Sequence, residues 1–282
     1  LFPLDSKAVS KKERTAAPRG AAAFRERYSR LFGERWAGLE AALLAASDSV
    51  AFSAGAGLEP YRLDSASIFA ARSLELPADG AILDACAAPG GKSLVLATRL
   101  APGPGSGPGS RLLANELSTD RRRRLRDVLD RHLPPELRAR VDVSGRDAAA
   151  MCRRNAGAFD AILLDAPCSS ERHVLADEAA LAVWSPARIR GLAMRQWALL
   201  SSALIMLREG GCLVYSTCAL SADENDLVVA RAAARYGGAL AFDRPAYEGP
   251  GEAEETEYGI SILPDRAHGA GPMYVCRMRK AG

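Results

Sequence analysis

Apolar positions change period along this 282-residue chain, and the change marks where a helical front gives way to a layered fold. From Phe24 onward, Tyr28, Leu31, Phe32, Trp36, Leu39 and Leu43 recur at intervals of three and four, the spacing of one helix face. One or two helices that pack on a neighbour are therefore predicted over 24–44. Another is predicted over 65–74, ended by Pro77. Residues 1–23 mix Lys, Arg, Ser, Ala and Pro without a period and read as a flexible basic arm.

From Ala81 short apolar runs alternate with helical stretches. Strands are predicted over 82–86, 111–114, 141–143, 160–165 and 212–216, and helices over 94–100, 119–133 and 186–207. Such alternation predicts an α/β fold, a doubly wound and mostly parallel sheet with helices on both faces. Ligands of such sheets bind at the carboxyl ends of the strands. A helix over 223–236 and a strand near 239–242 follow. The acidic stretch 248–257 reads as a solvated loop, and 259–263 with 273–278 as a terminal antiparallel hairpin that closes the sheet. The division expected is a basic arm (1–23), a helical extension (24–76) and a main domain (77–282).

Composition adds constraints more than identity. A net charge of +3 permits a nucleic-acid partner without demanding one, because affinity for phosphate depends on where charge clusters. Six cysteines show no Cys-x-x-Cys pairing and three histidines are scattered, which argues against a zinc site or a disulfide scaffold and for reduced thiols in an intracellular compartment. No apolar run reaches the ~18 residues of a membrane span, so no membrane partner is expected. The chain opens at Leu1 without an initiator methionine, which fits a processed or trimmed form. The Pro/Gly run at 102–109 follows a helix instead of a strand, so it reads as a loose insertion, not a phosphate cradle.

The first strand breaks into Asp84-Ala85-Cys86-Ala87-Ala88-Pro89-Gly90-Gly91-Lys92. A nucleotide P-loop requires glycine where Cys86 stands, and the dinucleotide pattern Gly-x-Gly-x-x-Gly is absent. What remains is a small-residue turn against whose backbone a ligand can lie. S-adenosylmethionine suits it, since its sulfonium needs no phosphate cradle and its amino-acid end bonds to exposed backbone groups. The turn residues Cys86, Ala87, Ala88, Pro89, Gly90, Gly91 and Lys92 are the candidate cofactor contacts. Glu116, at the end of the next strand, stands where a ribose would be held, and Asp147, after the third, where a carboxylate can accept from an adenine amino group.

Two thiols end apolar runs: Cys168 in Asp165-Ala166-Pro167-Cys168, and Cys218 in Tyr215-Ser216-Thr217-Cys218. Carbon 5 of cytosine is a poor nucleophile until a thiolate adds at carbon 6 and turns the ring into an enamine. With an ordinary thiol pKa of ~8.5, even modest activation matters. Cys152, Cys212 and Cys276, and the thiol of Cys86, read as small buried hydrophobes. Exocyclic-amine methyltransferases present a Pro-Pro-aromatic signature where this chain has Ala166-Pro167-Cys168, so amine methylation is disfavoured.

The 82–92 turn, the two cysteine motifs and the following Glu224-Asn225 together resemble the Nop/Sun family of RNA cytosine-5 methyltransferases, over a stretch from about Phe24 to the end. The resemblance implies a Rossmann-like, S-adenosylmethionine-dependent methyltransferase with a seven-stranded sheet. It implies Cys218 as the nucleophile, Cys168 as the aid to elimination and RNA release, Asp165 as holder of the base edge and cofactor neighbour, and Lys92 as the residue orienting turn and base. Phe32-Gly33, Trp36, Glu171-Arg172-His173 and Gly271-Pro272-Met273-Tyr274 look most like the mitochondrial ribosomal-RNA branch. That branch implies ribosomal RNA or a preribosomal particle as substrate in the mitochondrial matrix. It also implies a helical-repeat partner of the mitochondrial termination-factor type, because the chain has no room for an added RNA-binding domain. Arg121, Arg122, Arg123, Arg124 and Arg126 could meet phosphates or form a solvated face. The alternative function is a non-catalytic ribosome-assembly scaffold that keeps the methyltransferase fold.

Overall fold

The computed structural model describes residues 19–100 and 109–282. The basic arm up to position 18, and the Pro/Gly insertion apart from Gly109, lie outside the described residues.

The leading helical pattern forms α1 (Gly20–Phe32) and α2 (Trp36–Leu44), which bury Phe24, Tyr28, Trp36, Leu39 and Leu43. Helix α1 begins inside the stretch read as arm, because the Gly20 N–H is anchored 2.9 Å from the Trp184 carbonyl, a partner that local pattern does not reveal. The 24–76 segment is also not wholly helical. Strands β1 (Ser49–Phe52) and β2 (Tyr61–Asp64) form an antiparallel hairpin before α3 (Ser65–Arg72). The Asp64 carboxylate caps α3 by accepting from the Ala66 N–H at 2.9 Å.

The main sheet starts with β3 (Ala81–Asp84), α4 (Gly91–Ala97), β4 (Arg111–Asn115), α5 (Thr119–His132), α6 (Pro135–Arg138) and β5 (Val141–Ser144). It continues through β6 (Phe159–Asp165), α7 (Glu171–Ala176), α8 (Glu178–Ala182), α9 (Pro186–Met206), β7 (Leu207–Thr217) and α10 (Asp226–Tyr236). Strands β5, β4, β3, β6 and β7 lie side by side in that order and run parallel. The order reverses between β3 and β6, and this reversal opens a crevice at the carboxyl ends of the two strands.

Four more strands complete the edge: β8 (Leu240–Asp243), β9 (Glu254–Glu255), β10 (Ile260–Ile262) and β11 (Met273–Lys280). Strand β11 pairs antiparallel with β7, and its outer side is shared, β10 meeting Met273 to Val275 and β8 meeting Arg277 to Lys280. Among the described residues the sheet therefore has nine strands where seven were expected, because β8 and β10 divide the outer side of β11 between them and β9 pairs with β10. The acidic stretch is likewise not all solvated loop: it contains β9, and Glu254 pairs with Arg35 at 2.6 Å. Among the described residues, no helix is long and apolar enough to cross a membrane.

Strand period sorts the core into two layers. On β3 and β7, Ile82 and Val214 face α3, α4 and α5, while Leu83, Leu213 and Tyr215 face α9 and α10. A third cluster joins α1 and α2 to Val174, Leu175 and Trp184, just beyond the Cys168 loop. There the Phe24 and Trp184 rings meet edge to face at 5.2 Å. The front helices thus pack on the segment that carries the site.

Candidate active site

The turn after β3 sets the first part of the site. Gly90 takes φ +123°, a conformation side chains resist, and it starts α4 with its open side toward Leu125 and Val128 of α5. A side chain at Gly91 would meet Leu63 at 2.7 Å and Tyr61 at 3.0 Å, so strand β2 lies directly on the turn. Between them is a cavity of about 220 Å³ whose lining includes Tyr61, Asp64, Asp84, Cys86, Lys92 and Asp165. Ala87, Ala88, Pro89 and Gly91 complete that wall. A second cavity of about 420 Å³ opens on the other side of Cys86 and includes Glu116, Arg121, Arg146 and Pro167. Cys86 itself is half-buried, and its thiol is pushed up by burial and then by the neighbouring carboxylates, which suits a wall and not a nucleophile.

Acidic groups dominate these cavities. Asp84 is buried, and one oxygen accepts from the Ser93 hydroxyl at 2.6 Å while Oδ1 has no partner among the described residues. Burial pushes its carboxyl up to about 7. Glu116 is buried at the end of β4, accepting from the Ser118 N–H at 2.9 Å with Arg121 Nη1 at 3.4 Å. Arg121 also donates to the Ala88 carbonyl, and Arg122 to those of Glu116 and Leu117. Arg121 thus holds α5 onto the turn, Arg122 folds back on the loop that leads into α5, and Arg123 pairs with Asp120 at 3.7 Å. Asp147 is exposed, 3.8 Å from Arg195, and the wall beside it comes from Arg146 and Ala148. Gly90 and Asp147 are thus the predicted cofactor residues that line neither cavity.

The cysteines meet because β6 and β7 are in register, with Asp165 opposite Ser216. Their loops leave the sheet level with one another, and the sulfurs of Cys168 and Cys218 lie 2.9 Å apart. The Ser170 hydroxyl stands 3.3 Å from Cys218 Sγ and 3.5 Å from Cys168 Sγ. Ser170 reaches them from φ +54°, a left-handed conformation that costs a residue with a Cβ about 1–2 kcal/mol. The hydrogen bond from Cys168 holds the Cys218 thiol below its ordinary range, with Ser170 adding to the effect. The same bond, followed by burial, pushes Cys168 well above that range. Cys218 is therefore the thiol of the pair that ionises the more readily.

Beside the thiols, Lys92 Nζ lies 2.9 Å from Asp165 and 3.1 Å from the Ser67 hydroxyl. Burial alone would lower the lysine pKa, but the Asp165 carboxylate outweighs it and the ammonium persists. Ser216 donates to the other Asp165 oxygen at 2.9 Å, fixing the carboxylate against both strand ends. Glu224 is buried, accepts from the Ser169 N–H at 2.9 Å and from Gln196 at 2.8 Å, and is pushed up to about 7 by burial and then by Glu171. Asn225 donates to the Ala219 carbonyl at 2.9 Å and so braces the turn that presents Cys218.

A third cavity, about 440 Å³, exposes Cys218 together with Asp64, Ser67, Ser170, Arg172 and Met273. It shares Asp64 and Ser67 with the cavity beside the turn, so these two side chains stand between the nucleophile candidate and the small-residue turn. Sequence reasoning assigned no role to Asp64, Ser67, Asp84 or Ser170. Asp64 carries a legible signal, an aspartate just ahead of a helix, whereas Ser170 has none.

Comparison with known proteins agrees with this arrangement. The sequence profile of the family described as 16S rRNA methyltransferase RsmB/F matches residues 71–279. A mouse (Mus musculus) tRNA (cytosine(34)-C(5))-methyltransferase, mitochondrial, is 33% identical over 227 residues, covering 78% of this chain and 63% of that protein. The 5-cytosine rRNA methyltransferase NSUN4 of Xenopus laevis is 33% identical over 236 residues, 78% of this chain and 56% of that protein. The chain thus spans about three fifths of the length of these curated relatives. Among solved structures, NSun6 from Pyrococcus horikoshii with SFG superposes with a TM-score of 0.63 at 26% identity, covering 79% of this chain and 54% of that one. With the match extending from the end of α3 through β11 and taking in the turn and both thiols, the chain belongs to the RsmB/F methyltransferase family.

Proposed function

We propose that this chain is an S-adenosylmethionine-dependent RNA cytosine-5 methyltransferase acting on ribosomal RNA in the mitochondrial matrix. The observation that carries the reading is the Cys168–Cys218 pair, 2.9 Å apart at level strand ends, with Cys218 on a cavity that shares Asp64 and Ser67 with the one lined by Lys92 and Asp165. S-adenosylmethionine, when bound, supplies an electrophilic methyl group on a positively charged sulfur. The residues present fit it: a buried Asp84 oxygen without a partner among the described residues, with Asp64 on the same cavity, favours a cationic ligand. The buried Glu116 carboxylate, across Cys86, suits ribose hydroxyls. Residues 86–92, Glu116 and Asp165 would hold the cofactor, with Asp147 at the adenine end.

In this reading the Cys218 thiolate forms a bond to carbon 6 of the target cytosine, making carbon 5 electron-rich enough to take a methyl group. Asp165 accepts from the base edge, and Lys92 holds Asp165 and the turn in place. Water then takes the carbon 5 proton, the electron pair of that bond re-forms the 5,6 double bond, and the Cys218 thiolate leaves with the carbon 6–sulfur pair, assisted by a hydrogen bond from Cys168. Residues 77–282 act as the methyltransferase domain, with 24–76 as its extension.

The names of the mouse and frog relatives support the mitochondrial and ribosomal assignments. Arg121 and Arg122 are held by internal bonds, which leaves fewer cations to grip RNA and supports action on a preribosomal particle or with a helical-repeat partner of the mitochondrial termination-factor type. Bisulfite sequencing of mitochondrial ribosomal RNA, from cells carrying the intact chain or Cys218→Ala, tests reaction and target together. One protected cytosine should disappear with the variant. Unchanged protection would overturn the enzymatic reading, and ribosome assembly that survives Cys218→Ala but not deletion would favour the scaffold.

A further inference from the structure

Behind the paired thiols, one buried carboxylate joins three separate parts of the chain. Glu171 is fully buried. Its Oε1 accepts from the Tyr28 hydroxyl of α1 and from the hydroxyl of Ser169, the residue after Cys168. Its Oε2 accepts from the backbone N–H of Leu220, just beyond Cys218, at 3.1 Å. Strand pairing between β6 and β7 ends at Asp165 and Ser216, so the ladder does not extend to either sulfur. A buried carboxylate is costly unless its oxygens are met by donors, so freeing any of these groups disturbs the whole arrangement.

We propose that Glu171, braced by Tyr28, is a positioning residue that sets the separation of Cys168 and Cys218. Helix α1 is then a working part of the catalytic centre, although neither residue touches the base. The neighbouring Glu224 bonds to the backbone of Ser169, through Oε2, and leaves its Oε1 unpartnered among the described residues. Glu224, carried by the segment after Cys218, thus also ties the two loops together, whereas Glu171 extends the tie to α1. The catalytic half of this inference rests on the methyltransferase reading. Its geometric half rests on the two thiols alone.

The test compares Glu171→Gln and Tyr28→Phe with the intact chain by two measurements. The first is the rate at which diamide closes the Cys168–Cys218 disulfide, followed by peptide mass mapping. Both thiols give up a proton and an electron, and the diazene is reduced to the hydrazine. The second is methyl transfer to ribosomal RNA, split into kcat and KM. With Glu171→Gln we expect closure about tenfold slower and kcat about 10²-fold lower, the cost of a misplacement near 1 Å, with KM for RNA unchanged. Tyr28→Phe should show smaller changes of the same kind, and it decides the matter if Glu171→Gln fails to fold. Closure and kcat like those of the intact chain, in a folded variant, would overturn the inference. An intact chain that transfers no methyl but closes its disulfide faster than both variants sinks the functional reading and leaves the geometry standing.

Discussion

Cys218 Sγ lies 2.9 Å from Cys168 Sγ, a contact that lowers the Cys218 pKa and raises that of Cys168. Removing either sulfur therefore has different consequences. Cys218→Ala should abolish methyl transfer while sparing cofactor affinity measured by calorimetry. Cys168→Ala should leave the first bond to the base intact and stall its release, so a slow-migrating protein–RNA adduct should persist on a denaturing gel.

The same pair predicts a pH signature. Because Cys168 donates to Cys218, iodoacetamide should alkylate Cys218 with a midpoint below that of a free thiol. In Cys168→Ala the donor is gone, burial and the nearby carboxylates dominate, and the midpoint should move upward. A midpoint that stays put or falls in that variant contradicts Cys168 as the cause of the lowering.

Asp165→Asn tests the ion pair with Lys92. The amide still accepts from Ser216, but the largely buried ammonium keeps only the Ser67 hydroxyl as a near partner. Stability in urea should drop by about 1–3 kcal/mol. Methyl transfer should fall about 10²-fold, since a preorganised charge beside the reacting base is lost.

Glu224 offers a stability test. Its carboxyl is raised from an ordinary 4.5 to about 7, chiefly by burial, so the folded chain binds this proton more tightly than the unfolded one. The resulting stabilisation is complete below the unfolded value and is lost as pH rises through the folded one. Urea midpoints should accordingly decline between pH 4.5 and about 7, a slope that Glu224→Gln should flatten. Asp84, also raised to about 7, contributes a residual slope in the same direction.

Gly91→Val tests whether the front hairpin walls the cofactor crevice. The added branches would strike Leu63 and Tyr61, displacing β2 from the turn. Cofactor affinity should weaken about tenfold or more, equivalent to about 1.4 kcal/mol. An unaltered affinity would show that β2 plays no part in the wall.

The parallel strands and most of the long helices were legible because their apolar runs are local, and because informative residues cluster where strands end. Lys92, Asp165, Cys168 and Cys218 converge as their motifs implied, since adjacent parallel strands deliver their carboxyl ends to one place. The β1–β2 hairpin was hidden: each strand has only four residues, half-buried or exposed, with no clean alternation. The partition of the β11 edge between β8 and β10 depends on pairings far apart in sequence. Glu171, Ser170 and Tyr28 gain their meaning only from partners elsewhere in the chain. The sequence left Arg121 and Arg122 open between phosphate contact and a solvated face, and the carbonyls they serve could not be read from it.

Strand β7 receives its second neighbour from β11, with Tyr274 opposite Thr217, the residue before Cys218. A ribosome must therefore translate the message through β11, and release it from the exit tunnel, before this support beside Cys218 is seated. A nascent chain stalled earlier carries each reactive side chain on an unfinished scaffold. Premature termination upstream of β11 should consequently yield protein that quality-control proteases clear, not a rogue alkylator.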